Sequence, residues 1–141
     1  IAHQFPHIQI VYPLHLNPHI RSVMQPLHTV DNIKLIDPLA YDEMIYLMAK
    51  SYFILTDSGG IQEEAPTLGK PVLVLRSVTE RVEGIDAGTA KLIGTETQRI
   101  IDETSALLTK PAIYDQMTAT TNPYGQGDTA QKVHAIIKET N

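Results

Sequence analysis

Thr56-Asp57-Ser58-Gly59-Gly60-Ile61-Gln62-Glu63-Glu64-Ala65-Pro66 decides how the rest of the chain is read. In front of it, Ser51-Tyr52-Phe53-Ile54-Leu55 is apolar and rich in β formers, which predicts a buried strand. Asp57, Ser58 and two glycines then predict a sharp turn, and Ile61 to Ala65 a helix. Strand, glycine turn and helix in that order leave unpaired N–H groups and the positive end of a dipole aimed at one spot, a natural anion site. Gly59 and Gly60 put no Cβ between a phosphate and the backbone. Ser58 can cap the helix or offer its hydroxyl to the phosphate. Glu64, a turn further on, suits a ribose hydroxyl pair. The plainer alternative is an ordinary strand-to-helix turn with a good cap.

Outward from that stretch, strands and helices alternate. Ile8 to Leu14 predicts a first strand, ended by Pro13. Asn17 is then a helix cap, with Pro18 in the first helical position. The helix carries Ile20, Val23, Met24 and Leu27 on one face and ends or kinks at Pro26. Ile33 to Ile36 predicts a strand closed by Asp37-Pro38, and Tyr41 to Lys50 a helix with Met44, Ile45, Leu47 and Met48 inward. Pro66 calls for a short or kinked helix, and Leu68-Gly69 for its end.

Pro71 to Leu75 is continuously apolar, the mark of a strand buried on both faces. Arg76 to Ala87 reads as a loop holding a short helix, and Ala90 to Gly94 as the last strand. Thr95 with Gln98 resembles a capping box for a helix through Ile100, Ile101, Leu107 and Leu108. Pro111 to Thr120 is a further helix, and Asn122 to Gly127 a turn cluster. Asp128 caps a final amphipathic helix with Ala130, Val133, Ile136 and Ile137 inward. The expected class is α/β: a Rossmann-like parallel sheet with helices on both faces, in a single domain over 1–141. Leu14-His15, Asp37-Pro38, Asp57-Ser58 and Arg76-Ser77 all fall at strand carboxyl ends, where such sheets bind ligands.

The composition sets bounds on function. A net charge of −5 with scattered Lys and Arg argues against a nucleic-acid surface. No apolar run approaches the roughly 20 residues that span a bilayer, and residues 1–6 show no signal peptide, so no membrane role is expected. The absence of cysteine excludes disulfides and thiolate metal sites and fits a cytoplasmic protein. His3 and His7, like His15 and His19, are spaced i, i+4, but Pro6 and Pro18 interrupt both pairs and no acidic ligand stands beside them, so no metal is expected. His28 and His134 read as surface or helix-end residues, Asp37 as a turn residue, and Glu63 as a solvated or structural partner.

Several stretches together resemble one family: Tyr12-Pro13-Leu14-His15-Leu16-Asn17-Pro18, Thr56 to Pro66, Gly69-Lys70-Pro71-Val72-Leu73-Val74, Thr79-Glu80-Arg81, Ala87-Gly88-Thr89 and Asn122-Pro123-Tyr124-Gly125. The pattern resembles the C-terminal half of the non-hydrolysing UDP-N-acetylglucosamine 2-epimerases, in family order over nearly the whole chain. The resemblance implies half of a glycosyltransferase-B-type fold, with UDP or UDP-N-acetylglucosamine bound mainly on this half. It assigns Ser58, Gly59 and Gly60 to the diphosphate, Glu64 to the ribose, Arg81 to ligand charge, and His15 to an assisting place close to the diphosphate and to a second, regulatory UDP-sugar site. Leu39 and Met44 fall where relatives vary beside the uracil. No cofactor is implied, and the full-length enzyme is expected to be a homodimer.

The family's Gly-His-Arg-Arg-Glu-type strand and its proton-transferring carboxylates are absent from this sequence. The expectation is therefore a chain missing its first strand and the N-terminal domain, able to bind nucleotide without turning it over. The reaction implied is elimination of UDP to give a 2-acetamidoglucal, then re-addition of UDP with the opposite stereochemistry at C2. Three alternatives stand beside it: a UDP-sugar glycosyltransferase of the same architecture, a hydrolysing epimerase, and a non-catalytic UDP-sugar-binding module.

Overall fold

The computed structural model describes residues 1–125 and 127–139, which form an α/β arrangement of parallel strands and crossover helices. Contacts divide the chain into two compact units, Ile1–Leu47 and Met48–Asn141.

In the first unit, β1 (Ile10–Pro13) pairs in parallel with β2 (Ile33–Ile36), Ile10 opposite Ile33 and Pro13 opposite Ile36. The crossover is α1 (Pro18–Met24), started as the sequence predicts: the Asn17 side chain accepts from the His19 N–H, and Pro18 occupies the first turn. Pro26 ends the α-helix, and a 3-10 turn, Gln25–Thr29, follows. Of the residues predicted to share one face, Ile20, Met24 and Leu27 are half-buried and Val23 is exposed. Asn32 ties down the chain before β1, its amide donating to the carbonyls of Ala2, Phe5 and Ile8 at 3.0–3.1 Å.

α2 (Tyr41–Lys50) follows, its start stabilised by Glu43, whose carboxylate accepts from the Ala40 N–H at 2.9 Å. Met48 is buried, and Met44, Ile45 and Leu47 are half-buried.

In the second unit β3 (Ile54–Thr56), β4 (Val72–Val74) and β5 (Ala90–Leu92) lie side by side in that order, all parallel. Every side chain of β4 is buried, as its unbroken apolar run predicts. Its alternation sends Leu73 to one face, where it packs with Ile93, Leu107 and Met117. The last two come from α5 (Thr97–Thr109) and α6 (Pro111–Thr118). The expected buried strand at Ser51–Leu55 is shorter and less buried: β3 starts at Ile54, and the Leu55 side chain, on the face opposite Ile54 and Thr56, is exposed. The expected single sheet is two hydrogen-bonded sets, β1–β2 and β3–β4–β5.

Between β3 and β4 runs α3 (Gly59–Glu64), which gives way at Pro66 to a 3-10 turn, Ala65–Leu68. Gly69 closes it at φ 65°, left-handed backbone that a side chain would strain. α4 (Val82–Asp86) lies between β4 and β5. The cap of α5 differs from expectation: Glu96, not Thr95, accepts from the N–H groups of Gln98 and Arg99 at 3.0 and 2.7 Å. These bonds hold the Glu96 carboxyl below its ordinary pKa.

Gln126, in the predicted turn cluster, lies outside the described residues. α7 (Thr129–Glu139) forms where predicted, but Ala130, Val133, Ile136 and Ile137 are exposed, not inward. Its pattern marks an amphipathic helix correctly; an apolar stripe does not by itself say what lies against it. Among the described residues no helix is long and apolar enough to cross a membrane.

Candidate functional site

Because β3, β4 and β5 are parallel, the segments after them, beginning at Asp57, Leu75 and Ile93, open on one edge. The first supplies the glycine turn. Ser58 stands at the N-cap with extended backbone, yet its hydroxyl makes no capping bond; its N–H donates to Thr56 Oγ1 at 3.0 Å. The first intrahelical bond of α3 runs from Gln62 N to Ser58 O, so the amides of Gly59, Gly60 and Ile61 stay outside the ladder.

Neither glycine is imposed by the fold. Both lack positive φ, and a Cβ on Gly60 would meet nothing nearer than Ser58 Oγ at 3.9 Å. A Cβ on Gly59 would lie 3.5 Å from Glu80 Oε1 and 3.6 Å from Arg81 Nη2, ordinary contact distances. What those hydrogens keep open is the approach to the backbone from the side on which Arg81 lies.

Arg81 comes from the loop after β4. Its Nε pairs with Glu63 of α3, and its Nη1 lies 3.6 Å from Glu80 Oε1. Glu80 also accepts from Arg76 at 3.1 Å. Its carboxyl is held below the ordinary range first by its own backbone amide and then by the Arg76 charge. Glu63 is thus a structural partner, and Arg81 is ion-paired in this structure. Glu64 is half-buried and makes no side-chain hydrogen bond or ion pair among the described residues, which leaves its carboxylate able to accept from hydroxyls.

The loop is braced from behind. Gln62, fully buried, donates from Nε2 to Ser58 O at 3.2 Å and accepts at Oε1 from Thr79 Oγ1 at 2.8 Å; Thr79 Oγ1 in turn accepts from Arg81 N at 3.1 Å. Tyr124 reaches in from the turn after α6, its hydroxyl accepting from Gly84 N at 2.9 Å and donating to Arg81 O at 3.2 Å. Burial pushes that hydroxyl's pKa up. A Cβ on Gly84 would stand 2.6 Å from the same oxygen, so glycine here is a packing requirement. Asn122 fixes the turn to the 3-10 segment through Thr67 Oγ1 at 2.7 Å.

Ser58, Gly59, Gly60, Glu64 and Arg81 therefore lie on one unit, with Gly59 and Arg81 in contact range. His15 belongs to the first unit, exposed after β1, where its Nδ1 accepts from Asn17 N at 3.1 Å. Leu39 and Met44 are half-buried in that unit. Asp37 pairs with Arg21 at 2.7 Å. Among the described residues no group of three or more His, Asp or Glu could hold a metal ion. Sequence reasoning overlooked Gln62; an uncharged amide between a glycine turn and Glu63-Glu64 was the signal available, and its burial appears only in the fold.

Parallel strands joined by crossover helices, with a glycine turn and an arginine-bearing loop following the strand carboxyl ends, define an α/β protein with a candidate site on that edge. A UDP-N-acetylglucosamine 2-epimerase family model matches residues 1–138, and the chain belongs to that family. It is 52% identical over 139 residues to the UDP-N-acetylglucosamine 2-epimerase of Yersinia pestis, covering 98% of this chain and 37% of that protein. The Neisseria meningitidis UDP-GlcNAc 2-epimerase, solved bound to UDP-GlcNAc, superposes with a TM-score of 0.92 at 48% identity over 98% of this chain and 38% of its own. The S. aureus MnaA–UDP co-structure gives 0.93 at 48% identity over 97% and 38%. The chain thus spans little more than a third of the relatives it matches.

Proposed function

We propose that this chain is the nucleotide-binding C-terminal part of a non-hydrolysing UDP-N-acetylglucosamine 2-epimerase. It forms one half of a glycosyltransferase-B-type fold and works with an N-terminal domain, in a homodimer. The observation that carries the reading is the family match over residues 1–138, joined to close superposition on relatives solved with UDP-GlcNAc and with UDP. The amides of Gly59 and Gly60 and the Ser58 hydroxyl receive the diphosphate, and Arg81 offsets its charge. Glu64, the half-buried carboxylate without an ion-pair partner among the described residues, accepts from the ribose hydroxyls. Glu80 stands over Gly59, so an arriving diphosphate takes its place beside Arg81.

The chemistry follows from the bond that must break. The C2 proton is not acidic, so inversion goes by loss of that proton to a base as the C1–O bond breaks and UDP departs with the electron pair. UDP then adds back at C1 while a proton is delivered to the opposite face of C2, which inverts that carbon. The leaving diphosphate gains negative charge, which free amides and a guanidinium stabilise. This is the part of the reaction assigned to the residues here, with His15 assisting. The base for C2–H is assigned to the rest of the enzyme.

The test is to supply UDP-N-acetylglucosamine to the native gene product and follow the sugar anomeric and C2 signals by NMR. Conversion to UDP-N-acetylmannosamine supports the reading. Transfer of the sugar to an acceptor, or release of free N-acetylmannosamine with UDP, refutes it.

A further inference from the structure

We propose that Gln62 is a positioning residue: with Thr79 it forms a hydrogen-bonded relay that holds Arg81 in register with the glycine turn. The inference rests on the nucleotide reading above and extends it to residues that need not touch ligand. The relay has one consistent polarity. Arg81 N–H donates to Thr79 Oγ1, the Thr79 hydroxyl donates to Gln62 Oε1, and Gln62 Nε2 donates to Ser58 O. The Ser58 carbonyl also receives the Gln62 backbone N–H at 3.3 Å, so one residue grips it twice.

That grip sets the peptide plane between Ser58 and Gly59, and with it the direction of the first free amide. The other end of the relay sets the backbone from which the Arg81 side chain rises. Two segments separated by a β-strand thus keep a fixed spacing through one carboxamide. Gln62 is fully buried, so an unmade bond there cannot be replaced by bulk water. A glutamate at 62 could not donate to Ser58 O and would place a charge in a closed site, whereas glutamine satisfies both neighbours.

A purely structural role predicts lower thermal stability with unchanged ligand affinity in the folded protein. A positioning role predicts an affinity loss that persists when the protein is fully folded. UDP is titrated calorimetrically into the native gene product and its Thr79→Val, Gln62→Met, double and Thr79→Ser variants, well below each unfolding midpoint. Thr79→Val and Gln62→Met are each expected to weaken UDP binding by about tenfold. The double variant is expected to be no weaker than the worse single one, because both break one relay. Thr79→Ser, which keeps the hydroxyl, is expected to bind within about twofold of the parent.

Parent-like affinity in folded Thr79→Val, or losses that add in the double variant, overturns the relay while leaving the nucleotide site standing. A parent that does not bind UDP overturns the nucleotide reading itself, and the relay's purpose with it. Should Gln62→Met not fold, the half-buried Thr79 pair decides the question alone.

Discussion

The two units use the same parallel pairing and hold it in different ways. In the first, every residue of β1 is half-buried, β2 exposes Lys34, and a side-chain amide, Asn32, stitches the preceding turns in place. In the second, β4 has a strand on each side, and its side chains are excluded from water. A strand with two neighbours has its backbone fully paired and both faces free to pack, so apolar burial dominates its energetics. A two-stranded set leaves an edge on both strands, and specific polar contacts carry more of the order there.

The largest expected effect tests that contrast directly. Leu73→Ala, in the centre of β4, should cost about 2–5 kcal/mol by leaving a cavity, whereas Leu35→Ala in β2 should cost less than about 2 kcal/mol. Urea unfolding of the native protein measures both, and equal losses would break the comparison.

Next in size is Gly84→Ala. It forces Tyr124 off its two hydrogen bonds and should destabilise by about 1–3 kcal/mol. Tyr124→Phe alone should cost about 1 kcal/mol, and the double variant less than the sum, since removing the hydroxyl removes the clash. Strict additivity in that cycle would show that Gly84 and Tyr124 do not meet as described.

Asn32→Ala should cost about 1 kcal/mol and open the segment before β1. Hydrogen exchange at Phe5 and Ile8, whose N–H groups bond within that turn, should rise more than exchange in β4. Uniform change across both units would mean that Asn32 is not the local staple of the first.

The smallest effect is the pH dependence of the α5 cap. The Glu96 carboxyl is held below its ordinary value near 4.5, first by the Gln98 amide and then by that of Arg99. A depressed carboxyl pKa makes its contribution fully present above that ordinary value and removes it as pH falls through the lower folded value. Glu96→Gln should therefore lower the melting temperature slightly at neutral pH, and the gap from the parent should close in acid. A gap independent of pH would assign the effect to something other than the charge.

Much of the fold is legible in the chain. Asn17-Pro18 starts α1, Pro26 and Pro66 stop their helices, Gly69 closes a left-handed turn, and Val72-Leu73-Val74 announces a strand with neighbours on both sides. These signals are local: each acts within a few residues of itself through φ restriction, a missing N–H or a side-chain cap. The cap of α5 shows the limit of pattern. Thr95 with Gln98 fits a known motif, but Glu96 sits one residue closer and reaches two amides at once. The glycine turn was legible as well, from residue type and order, whereas Arg81 was singled out by the family resemblance and not by its own surroundings in the chain.

By itself the sequence determined the strand-and-helix alternation and the chemistry available at residues 58–64 and 81, because dihedral preference and functional groups belong to single residues. Tertiary structure alone decided which strands pair, that Leu55 and the apolar stripe of α7 stay exposed, and that Arg81 lies over Gly59 between two carboxylates. It also decided that a glutamine among acidic neighbours is the buried tie between two loops. Those outcomes depend on distances between residues far apart in the chain, which close only when the strands are side by side.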